Sequence, residues 1–499
     1  MKLALISVNQ NDADPPLGIA YISSYIKKYA KHPVEIRIID KENILLAIQK
    51  NHFDIIGIAA LSTDLHKAQK IAKEIIKISP SSYLIIGGVH ITIMPQHLKD
   101  SAFDIGTIGE GEQTLLEICE LFSERRELPL EDLSKINGLV FKDKDSNLIT
   151  TPPRAYIKNL DDIPFPDRDS LKMKEIYLVP QIKQNGLGIY TTMFTSRGCP
   201  YTCIFCSSAS FWERKIRLNS AEYVVKEIEM LVNKYGVDGI HIFDDLFAVS
   251  KNRVKEIADM LEKKGLTKKV HFSLLLRTSM TDEEIIKDLK RMNVTHIGFG
   301  FETASPGMLK RMKGDTATVE KHRNAVQLCR KYGIFVYGSF ILGNPSETKE
   351  DMELTLDFLR NYPLDQVNIN QLVPMPKTDV WNIAKEEGHV NDSFDFAINK
   401  LSNLFVHEFN SNMILSKEVT PEEFKEIFLR AQDIVRNTKV SHFELKLRYL
   451  AYLKNPIFVK KLWLRRKRVL YLMGLRKNDV YDRVKDIAIK EQLVKAQTA

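Results

Sequence analysis

Short apolar runs alternate with longer amphipathic segments over the first part of the chain. The runs are too short for helices and predict buried strands, whereas the amphipathic segments have helical periodicity. The expected strands are residues 3–8, 34–39, 55–60 and 83–86, and the expected helices are residues 19–29 and 68–78. Strands that alternate with covering helices predict a doubly wound α/β domain with a parallel sheet over residues 1–122. Such sheets bind ligands at the carboxyl ends of their strands, where Gly87 and Gly88 allow close approach of the backbone.

A second alternation of strands and helices, over residues 191–388, has six repeats. The expected strands are residues 192–196, 239–243, 270–276, 295–301, 334–342 and 366–372, and the expected helices are residues 221–235, 254–263, 282–292, 319–332 and 350–360. Helix starts are expected at Asn219–Ser220, at Thr281–Asp282 and at Thr318. Six β/α repeats predict a partial barrel whose chemistry lies at the carboxyl ends of its strands.

The remaining segments are less regular. Residues 123–190 are expected to form a linker with one hairpin, made of residues 136–141 and 148–151, followed by proline-rich stretches. Residues 389–499 are dominated by helical periodicity, including residues 421–437, and predict a helical cap over the barrel mouth.

The segment Phe458–Met473 interleaves basic and apolar residues. It is interpreted first as a helix that packs its leucines and tryptophan inward, second as a peripheral membrane contact, and last as a nucleic-acid contact. A lipid-like substrate would suit the membrane interpretation.

Composition places the chain among ordinary globular proteins. Its 499 residues are 44% hydrophobic and 27% charged, with a formal net charge of +8, which argues against extensive disorder. The amino terminus turns polar too early for a signal peptide, and no apolar run reaches the roughly 18 residues of a membrane helix. Five cysteines without a regular framework favour a reducing compartment, so a cytoplasmic location is expected.

Three of the five cysteines fall within eight residues, in the order Cys199, Cys203 and Cys206. Thiolates this close converge on one inorganic centre. A structural zinc site needs four protein ligands, and the nearest candidate for the fourth is the distant His241. An iron–sulfur cluster held by three thiolates leaves one iron open to a substrate.

The spacing Cys-x3-Cys-x2-Cys, with Phe205 before the last cysteine, resembles the signature of the radical S-adenosylmethionine (SAM) superfamily. The resemblance implies a 4Fe–4S cluster on Cys199, Cys203 and Cys206, with SAM bound to the open iron. The residues expected to contact SAM lie in this motif and at strand ends: Phe205, Asp244, Asp245, Arg277, Gly300 and Glu302. The alternatives are a turn cap for the two aspartates and a solvent salt bridge for Arg277.

One position departs from the family pattern. The stretch Leu372–Thr378 is similar to the end of the family's core, but Lys377 stands where the family usually has glycine. The local turn is therefore uncertain from sequence.

The first domain resembles the cobalamin-binding domain that precedes the radical SAM core in one subgroup of that superfamily. The resemblance rests on residues 15–18, 87–90 and 109–112. The implied cobalamin contacts are Leu61, Ser62, Thr63, Gly87, Gly88, His90, Glu110, Gly111 and Glu112. The Asp-x-His-x-x-Gly motif of other cobalamin proteins is missing, so no histidine is expected below the cobalt, and His90 and His97 are expected at a loop or helix surface.

The resemblance implies a cobalamin-dependent radical SAM enzyme that methylates an unactivated carbon of a small-molecule substrate. An alternative keeps the radical step but ends in ring closure or carbon–carbon rearrangement, as in the anaerobic magnesium-protoporphyrin ester cyclase. A distant alternative is a non-catalytic, zinc-stabilised protein that binds RNA or membrane. The expected electron donor is a flavodoxin or ferredoxin.

Overall fold

The computed structural model describes residues 1–8, 14–178, 180–183, 186–405, 410 and 413–438. In these residues two seven-stranded sheets and a two-stranded ribbon are covered by helices. The strands are β1 Lys2–Ser7, β2 Glu35–Ile39, β3 Ile55–Ala59, β4 Tyr83–Gly87, β5 Ile105–Thr107, β6 Leu139–Lys142, β7 Leu148–Thr150, β8 Pro180–Lys183, β9 Gly186–Met193, β10 Ser196–Gly198, β11 Ile216–Leu218, β12 Gly239–Ile242, β13 His271–Leu276, β14 Val294–Glu302, β15 Phe335–Leu342 and β16 Gln366–Gln371.

Helices connect most of these strands. They are α1 Leu17–Tyr29, α2 Ile44–Lys50, α3 Leu65–Ile78, α4 Val89–Ile93, α5 Gly111–Arg125, α6 Leu130–Leu133, α7 Ser208–Trp212, α8 Ala221–Tyr235, α9 Lys251–Lys263, α10 Glu283–Arg291, α11 Pro306–Lys313, α12 Val319–Lys331, α13 Lys349–Asn361, α14 Asp379–Glu386, α15 Phe394–Asn399 and α16 Pro421–Thr438. The side chains of Ser220, Asp282 and Thr318 accept the first free amides of α8, α10 and α12, so all three expected helix starts are confirmed.

The first sheet has the strand order β2-β1-β3-β4-β5-β6-β7, and β1 to β5 are parallel. The order reverses between β1 and β3, which places a ligand crevice at the carboxyl ends of these two strands. The expected hairpin is confirmed as β6 and β7, but it does not stand apart: β6 pairs antiparallel with β5 and extends the first sheet. The limit at residue 122 therefore stays a prediction.

The second sheet has the order β16-β15-β14-β13-β12-β9-β8. Its strands β9 and β12 to β16 are parallel and form the expected partial barrel of six repeats, with β8 antiparallel at one edge. The first barrel strand was placed wrongly at residues 192–196, because β9 starts at Gly186 and ends at Met193. Residues 196–198 instead form β10, which pairs with β11 beside the cysteine motif.

The helical cap over the barrel mouth stays a prediction, because residues 439–499 lie outside the described part of the chain. Helix α15 packs against α3 of the first domain, while α16 packs against β16 and α13 on the outside of the barrel. The apolar side chains of α14 and α15, among them Trp381 and Phe396, complete a core shared with the first sheet. The basic segment 458–473 lies outside the described residues. No described helix is both long and apolar enough to span a bilayer.

Candidate cofactor site

The three cysteines follow β10 at the carboxyl edge of the barrel. Gly198 has a φ of +96°, and a Cβ on it would lie 2.1 Å from the carbonyl oxygen of Lys215. Only glycine fits there, because β10 and β11 approach closely at this turn. Cys199, Cys203 and Cys206 follow at once, all partly buried and unpaired. The turn therefore delivers three thiols to one loop.

The arrangement of the thiols does not match a zinc site. In the described residues, the only three His, Cys, Asp or Glu ligand atoms within 4.8 Å of one another belong to His32, Glu120 and Glu124. Tetrahedral zinc, with zinc–sulfur bonds of about 2.3 Å, would bring the thiols closer than that limit. A cubane cluster keeps its cysteines farther apart, since each binds a different iron. His241, the nearest candidate in the sequence for a fourth zinc ligand, hydrogen-bonds the Ser273 hydroxyl at 2.7 Å.

The loop is held by Arg277 at the end of β13. Its guanidinium donates to the Cys203 thiol at 3.3 Å and to the Lys313 carbonyl at 2.6 Å, and it stacks 3.9 Å from the ring centre of Tyr201. Arg277 is only 6% exposed, so the alternative of a solvent salt bridge is wrong. Burial raises the pKa of Cys206 to about 11, which a bound iron centre would offset by taking the thiolate. Phe205 is partly buried against the core that spans both domains.

The two aspartates after β12 have different surroundings. Asp244 is 1% exposed and accepts from the Thr195 amide at 2.6 Å, the Thr195 hydroxyl and the Ser196 amide. It therefore fixes the start of the cysteine loop, and its expected contact with SAM does not fit this burial. Burial raises the pKa of Asp244 despite those donors. Asp245 is exposed and accepts from the Ser208 hydroxyl at 3.1 Å, and the Trp212 side chain and the Gly198 amide also hydrogen-bond to it.

Glu302 ends β14 with a φ of +66° and is 7% exposed. Lys313 pairs with its carboxylate at 3.1 Å and also donates to the Gly300 carbonyl. The space beside Gly300 was expected to admit adenosine. A Cβ there would instead lie 2.3 Å from the Glu302 carboxylate, so the glycine makes room for Glu302 itself.

The turn at Lys377 forms despite the missing glycine. Lys377 adopts a φ of +64°, the left-handed conformation that glycine would adopt without strain. Its carbonyl accepts from the Ser210 hydroxyl at 2.6 Å, which ties this turn to α7.

The loops of the first sheet lie at the β1/β3 crevice. Leu61 is 53% exposed at the end of β3, while Ser62 is 5% exposed and Thr63 is partly buried in the next turn. Gly88 has a φ of +98°, and a Cβ on it would lie 2.8 Å from the Ala60 carbonyl oxygen. A Cβ on Gly87 would lie 2.8 Å from the Thr107 hydroxyl. Gly88 thus allows the loops after β3 and β4 to touch, and Gly87 leaves room for the Thr107 side chain at the end of β5.

The expectation that His90 and His97 lie at a surface is wrong. They are 0% and 3% exposed, respectively. His90 Nδ1 lies 3.1 Å from the Ser62 hydroxyl, His90 Nε2 lies 3.0 Å from His97 Nδ1, and His97 Nε2 lies 2.9 Å from the Asp392 carbonyl. Both ring nitrogens of His90 are therefore within hydrogen-bonding distance of other protein side chains. Burial lowers the pKa of His90 to about 3, so the ring is neutral.

Glu110 and Glu112 face the second domain. Arg197, within the cysteine motif, pairs with Glu110 at 2.6 Å and with Glu112 at 2.5 Å. Arg217 of β11 pairs with Glu110 at 2.8 Å. These two arginines, which the sequence analysis missed, lower the pKa of Glu110 against the effect of burial. Both carboxylates are therefore occupied by protein, and the expected cobalamin contact does not fit them.

Two further contacts lie in or beside the junction between the two domains. A Cβ on Gly111, which begins α5, would lie 3.0 Å from Ile22, so Gly111 permits α1 and α5 to pack. Helix α4, which follows Gly88, contacts α7, which follows Cys206. The glycine loop of the first domain and the cysteine loop of the second thus meet.

The loop after β15 contains a buried carboxyl group. Glu347 is 0% exposed and accepts from the amides of Gly343 and Asn344 at 2.7 and 2.9 Å, while burial raises its pKa to about 7. A carboxyl group whose pKa is higher in the folded than in the unfolded protein stabilises the fold at low pH. This contribution is lost as the pH rises from about 4.5 through about 7.

We expect the Glu347→Gln variant to show a smaller fall in unfolding midpoint than the parent protein between pH 5 and pH 8. The loss of unfolding free energy between pH 5 and pH 8 should be about 3 kcal/mol larger in the parent protein than in the variant, because each pKa unit corresponds to about 1.4 kcal/mol. Thermal unfolding in matched buffers measures it. Glu350→Gln, which changes an exposed glutamate of α13, is the control. Parallel pH profiles for the parent and Glu347→Gln would contradict the assignment.

Comparisons with known proteins agree with this arrangement. Residues 193–359 match the Radical SAM superfamily, and residues 9–119 match the B12 binding domain. An uncharacterised methyltransferase of Pyrococcus horikoshii is 32% identical over 380 residues, which cover 74% of this chain and 78% of the relative. The anaerobic magnesium-protoporphyrin IX monomethyl ester cyclase of Rubrivivax gelatinosus is 28% identical over 391 residues, covering 77% of this chain and 68% of the cyclase.

A solved structure shares the fold. The radical SAM methyltransferase TsrM of Kitasatospora setae, determined with cobalamin and a 4Fe–4S cluster bound, aligns with a TM-score of 0.64 and 18% identity. The alignment covers 79% of this chain and 76% of TsrM.

Proposed function

This chain belongs to the radical SAM enzymes that carry an N-terminal B12-binding domain, and we propose that it methylates an unactivated carbon of a small-molecule substrate. The observation that carries the proposal is the contact between α4 and α7, which brings the glycine loop of the B12-binding domain beside the cysteine loop. Membership of this enzyme family removes the non-catalytic, zinc-stabilised alternative.

Cys199, Cys203 and Cys206 would hold the cluster. When bound, the cluster with SAM supplies a deoxyadenosyl radical that removes hydrogen from the substrate, and cobalamin supplies the methyl group. The three thiols do not lie as close together as a tetrahedral zinc ion would hold them, which supports this assignment. Arg277 would hold the Cys203 sulfur in place through its 3.3 Å contact and shield it from water.

The protein contacts of SAM are assigned by exposure. Asp245, which is exposed beside α7, is the carboxylate that would accept from the SAM ammonium, while buried Asp244 positions the loop. Glu302, fixed by Lys313, would accept from the ribose hydroxyls at the rim of β14. Phe205 would pack beside the cluster from within its loop.

Cobalamin would lie at the β1/β3 crevice. Exposed Leu61, followed by Ser62 and Thr63, would offer an apolar side chain to the corrin ring. No protein ligand to the cobalt is proposed, because both nitrogens of His90 are already hydrogen-bonded.

Replacing Gly88 with alanine is expected to lower cobalamin affinity about tenfold. The added Cβ would meet the Ala60 carbonyl at 2.8 Å and push the loop that starts at Leu61 out of place. Cobalamin absorbance per chain after desalting measures retention. Gly333→Ala is a matched control, because Gly333 also has a positive φ of +63° but nothing lies within 4 Å of its Cβ position. Full cobalamin retention in a folded Gly88→Ala protein would count against this crevice.

Methyl-labelled SAM tests the function itself. The holoenzyme, incubated without oxygen with labelled SAM, dithionite and a small-molecule extract, is expected to place the label on a carbon of one extract component. The similarity to the anaerobic cyclase favours ring closure as the second candidate. Ring closure predicts deoxyadenosine formation and a new product that carries no label.

The remaining assignments concern partners. A flavodoxin or ferredoxin is the proposed electron donor. A lipid-like substrate and a membrane contact through residues 458–473 stay predictions, as that segment lies outside the described residues.

The domain limits at residues 122, 190 and 388 are likewise proposed.

A further inference from the structure

The inside of the partial barrel contains a cavity of about 320 Å³, below the cysteine loop. Alternate residues of parallel strands point to the same face, so every second residue of β12 to β16 faces this lumen. The outward set is apolar and buried under the helices, as Phe272, Leu276 and Ile297 illustrate. The inward set contains three histidines, His241, His271 and His296, which the proposed cofactor chemistry does not use.

Strand register places these groups in rows. His241 lies opposite Ser273, and Ser273 lies opposite His296, so imidazole, hydroxyl and imidazole stand side by side on three adjacent strands. His271 stands one row below, opposite Gly239. A Cβ on Gly239 would lie 2.6 Å from His271 Nε2, so the missing side chain admits the third ring.

The polar atoms of the upper row are positioned for a ligand. His241 Nδ1 is hydrogen-bonded to the Ser273 hydroxyl at 2.7 Å, which fixes the ring. His296 Nδ1 lies 2.9 Å from the Thr295 hydroxyl. His296 Nε2 is buried and has no hydrogen-bond partner among the described residues. A buried, unpaired ring nitrogen is costly unless a ligand satisfies it.

The described lining of the cavity carries no negative charge that would repel an anion. Of the described residues that line the cavity, none is acidic. The titratable groups that face His296 from the neighbouring strands are His241, His271, Tyr190 and Tyr337. Burial, followed by the two other histidines, lowers the pKa of His296 to about 4. An empty lumen therefore keeps this ring neutral at pH 7, and a bound anion would draw a proton onto it.

The wall nearer the cysteine loop is apolar. Phe243, which directly follows β12, is 45% exposed, and Leu275 of β13 is 38% exposed. The Phe243 ring stands edge-on to His241 with ring centres 4.8 Å apart. A ligand in the cavity would thus contact apolar side chains on the side of the cysteine loop and the histidines on the opposite side.

We infer that this lumen is the substrate pocket and that the substrate is an apolar or aromatic molecule bearing a carboxylate or phosphate, which His241, Ser273 and His296 bind. This inference rests on the proposed function, since it takes the pocket below the cysteine loop as the place of the methylated molecule. It narrows the substrate class to oxyanion-bearing compounds whose reacting carbon lies toward the carboxyl ends of the strands.

Titration calorimetry with the holoenzyme in the absence of SAM tests the inference. The probes are naphthalene-2-carboxylate, 2-naphthyl phosphate and the neutral 2-naphthalenemethanol. At least one anionic probe is expected to bind about tenfold or more tightly than the alcohol, because a hydrogen bond to a charged group contributes about 1.5–3 kcal/mol. Binding of the anion should also take up a proton, seen as a heat that depends on the ionisation enthalpy of the buffer. Whichever anion binds more tightly identifies the carboxylate or phosphate class.

Two variants and one control locate the site. His296→Gln and His241→Asn should each lower the affinity for the anion about tenfold and reduce the proton uptake, whereas His52→Gln, an exposed histidine outside the lumen, should change neither. Iron, sulfide and cobalamin contents per chain equal to those of the parent protein show that each variant is folded and loaded. Equal binding of the alcohol and both anions, or no binding of any probe to the loaded enzyme, overturns the inference. A failure of methyl transfer with intact anion binding would instead overturn the proposed function alone.

Discussion

Replacing Cys203 with alanine is expected to remove the iron–sulfur cluster and to lower SAM cleavage by at least about a hundredfold. A cubane held by three thiolates loses one of its three anchors in this variant, and Arg277 loses the sulfur that it contacts at 3.3 Å. Without the cluster, the protein has no group that delivers an electron to SAM. Iron and acid-labile sulfide per chain, together with the yield of 5'-deoxyadenosine, measure the effect.

Cys329→Ala is the matched control for this experiment. Cys329 is a buried thiol of α12 and is 0% exposed, remote in sequence from the cysteine motif. The control removes one thiol without touching the loop, so it should retain iron, sulfide and deoxyadenosine formation. A Cys203→Ala protein that kept its full iron content and cleaved SAM normally would refute the assignment of the cluster ligands.

Replacing Arg197 with methionine is expected to destabilise the protein by about 3–5 kcal/mol and to uncouple its two domains. The change removes the ion pair of Arg197 with Glu112 and leaves Glu110 paired with Arg217. The side chains of Glu110 and Glu112 are only 4% and 5% exposed, so water cannot replace the lost arginine. Because Arg197 lies two residues before Cys199, its loss also frees the cysteine loop to move relative to the B12-binding domain. SAM cleavage should then persist while less methylated product forms for each deoxyadenosine.

The control for Arg197 is an arginine that has more carboxylate partners and a more exposed side chain. Arg291 pairs with Asp259, Glu262 and Asp288, and its side chain is 34% exposed. Arg291→Met should cost within about 1 kcal/mol, because solvent screens exposed ion pairs. Denaturant unfolding gives the stabilities, and chromatography of the reaction gives the ratio of products. If Arg197→Met unfolded like the parent protein and kept the parent ratio, the ion pairs would not couple the domains.

The strands and most helices followed from sequence because burial in a parallel sheet leaves a local signal. Runs such as residues 55–60 are apolar on both faces, and the side chains of Ser220, Asp282 and Thr318 cap the helices that follow them. The start of β9 was missed because Gly186 and Gly188 resemble chain breakers. In the sheet, Gly188 is packed against Tyr190 and Asp238, where a larger residue would be crowded.

The roles of several site residues did not follow from sequence because their partners are far along the chain. Glu110 pairs with arginines 87 and 107 residues later, and His97 bonds a carbonyl 295 residues later. Contacts between residues so far apart leave no local pattern in the sequence. The position of Arg197 inside the cysteine motif was one available signal. Another was the recurrence of histidine on the inward face of β12, β13 and β14, where the parallel strands are otherwise apolar.

The central claim is that one chain holds both an iron–sulfur cluster and cobalamin at the junction of its two domains. Its most direct test is the visible spectrum, with iron, sulfide and cobalamin contents, of protein purified without oxygen and reconstituted with iron, sulfide and hydroxocobalamin. The account predicts one full cluster and one cobalamin per chain, with the cluster lost in Cys203→Ala. A cluster without bound cobalamin would contradict the claim and leave radical cyclisation or rearrangement as the better explanation.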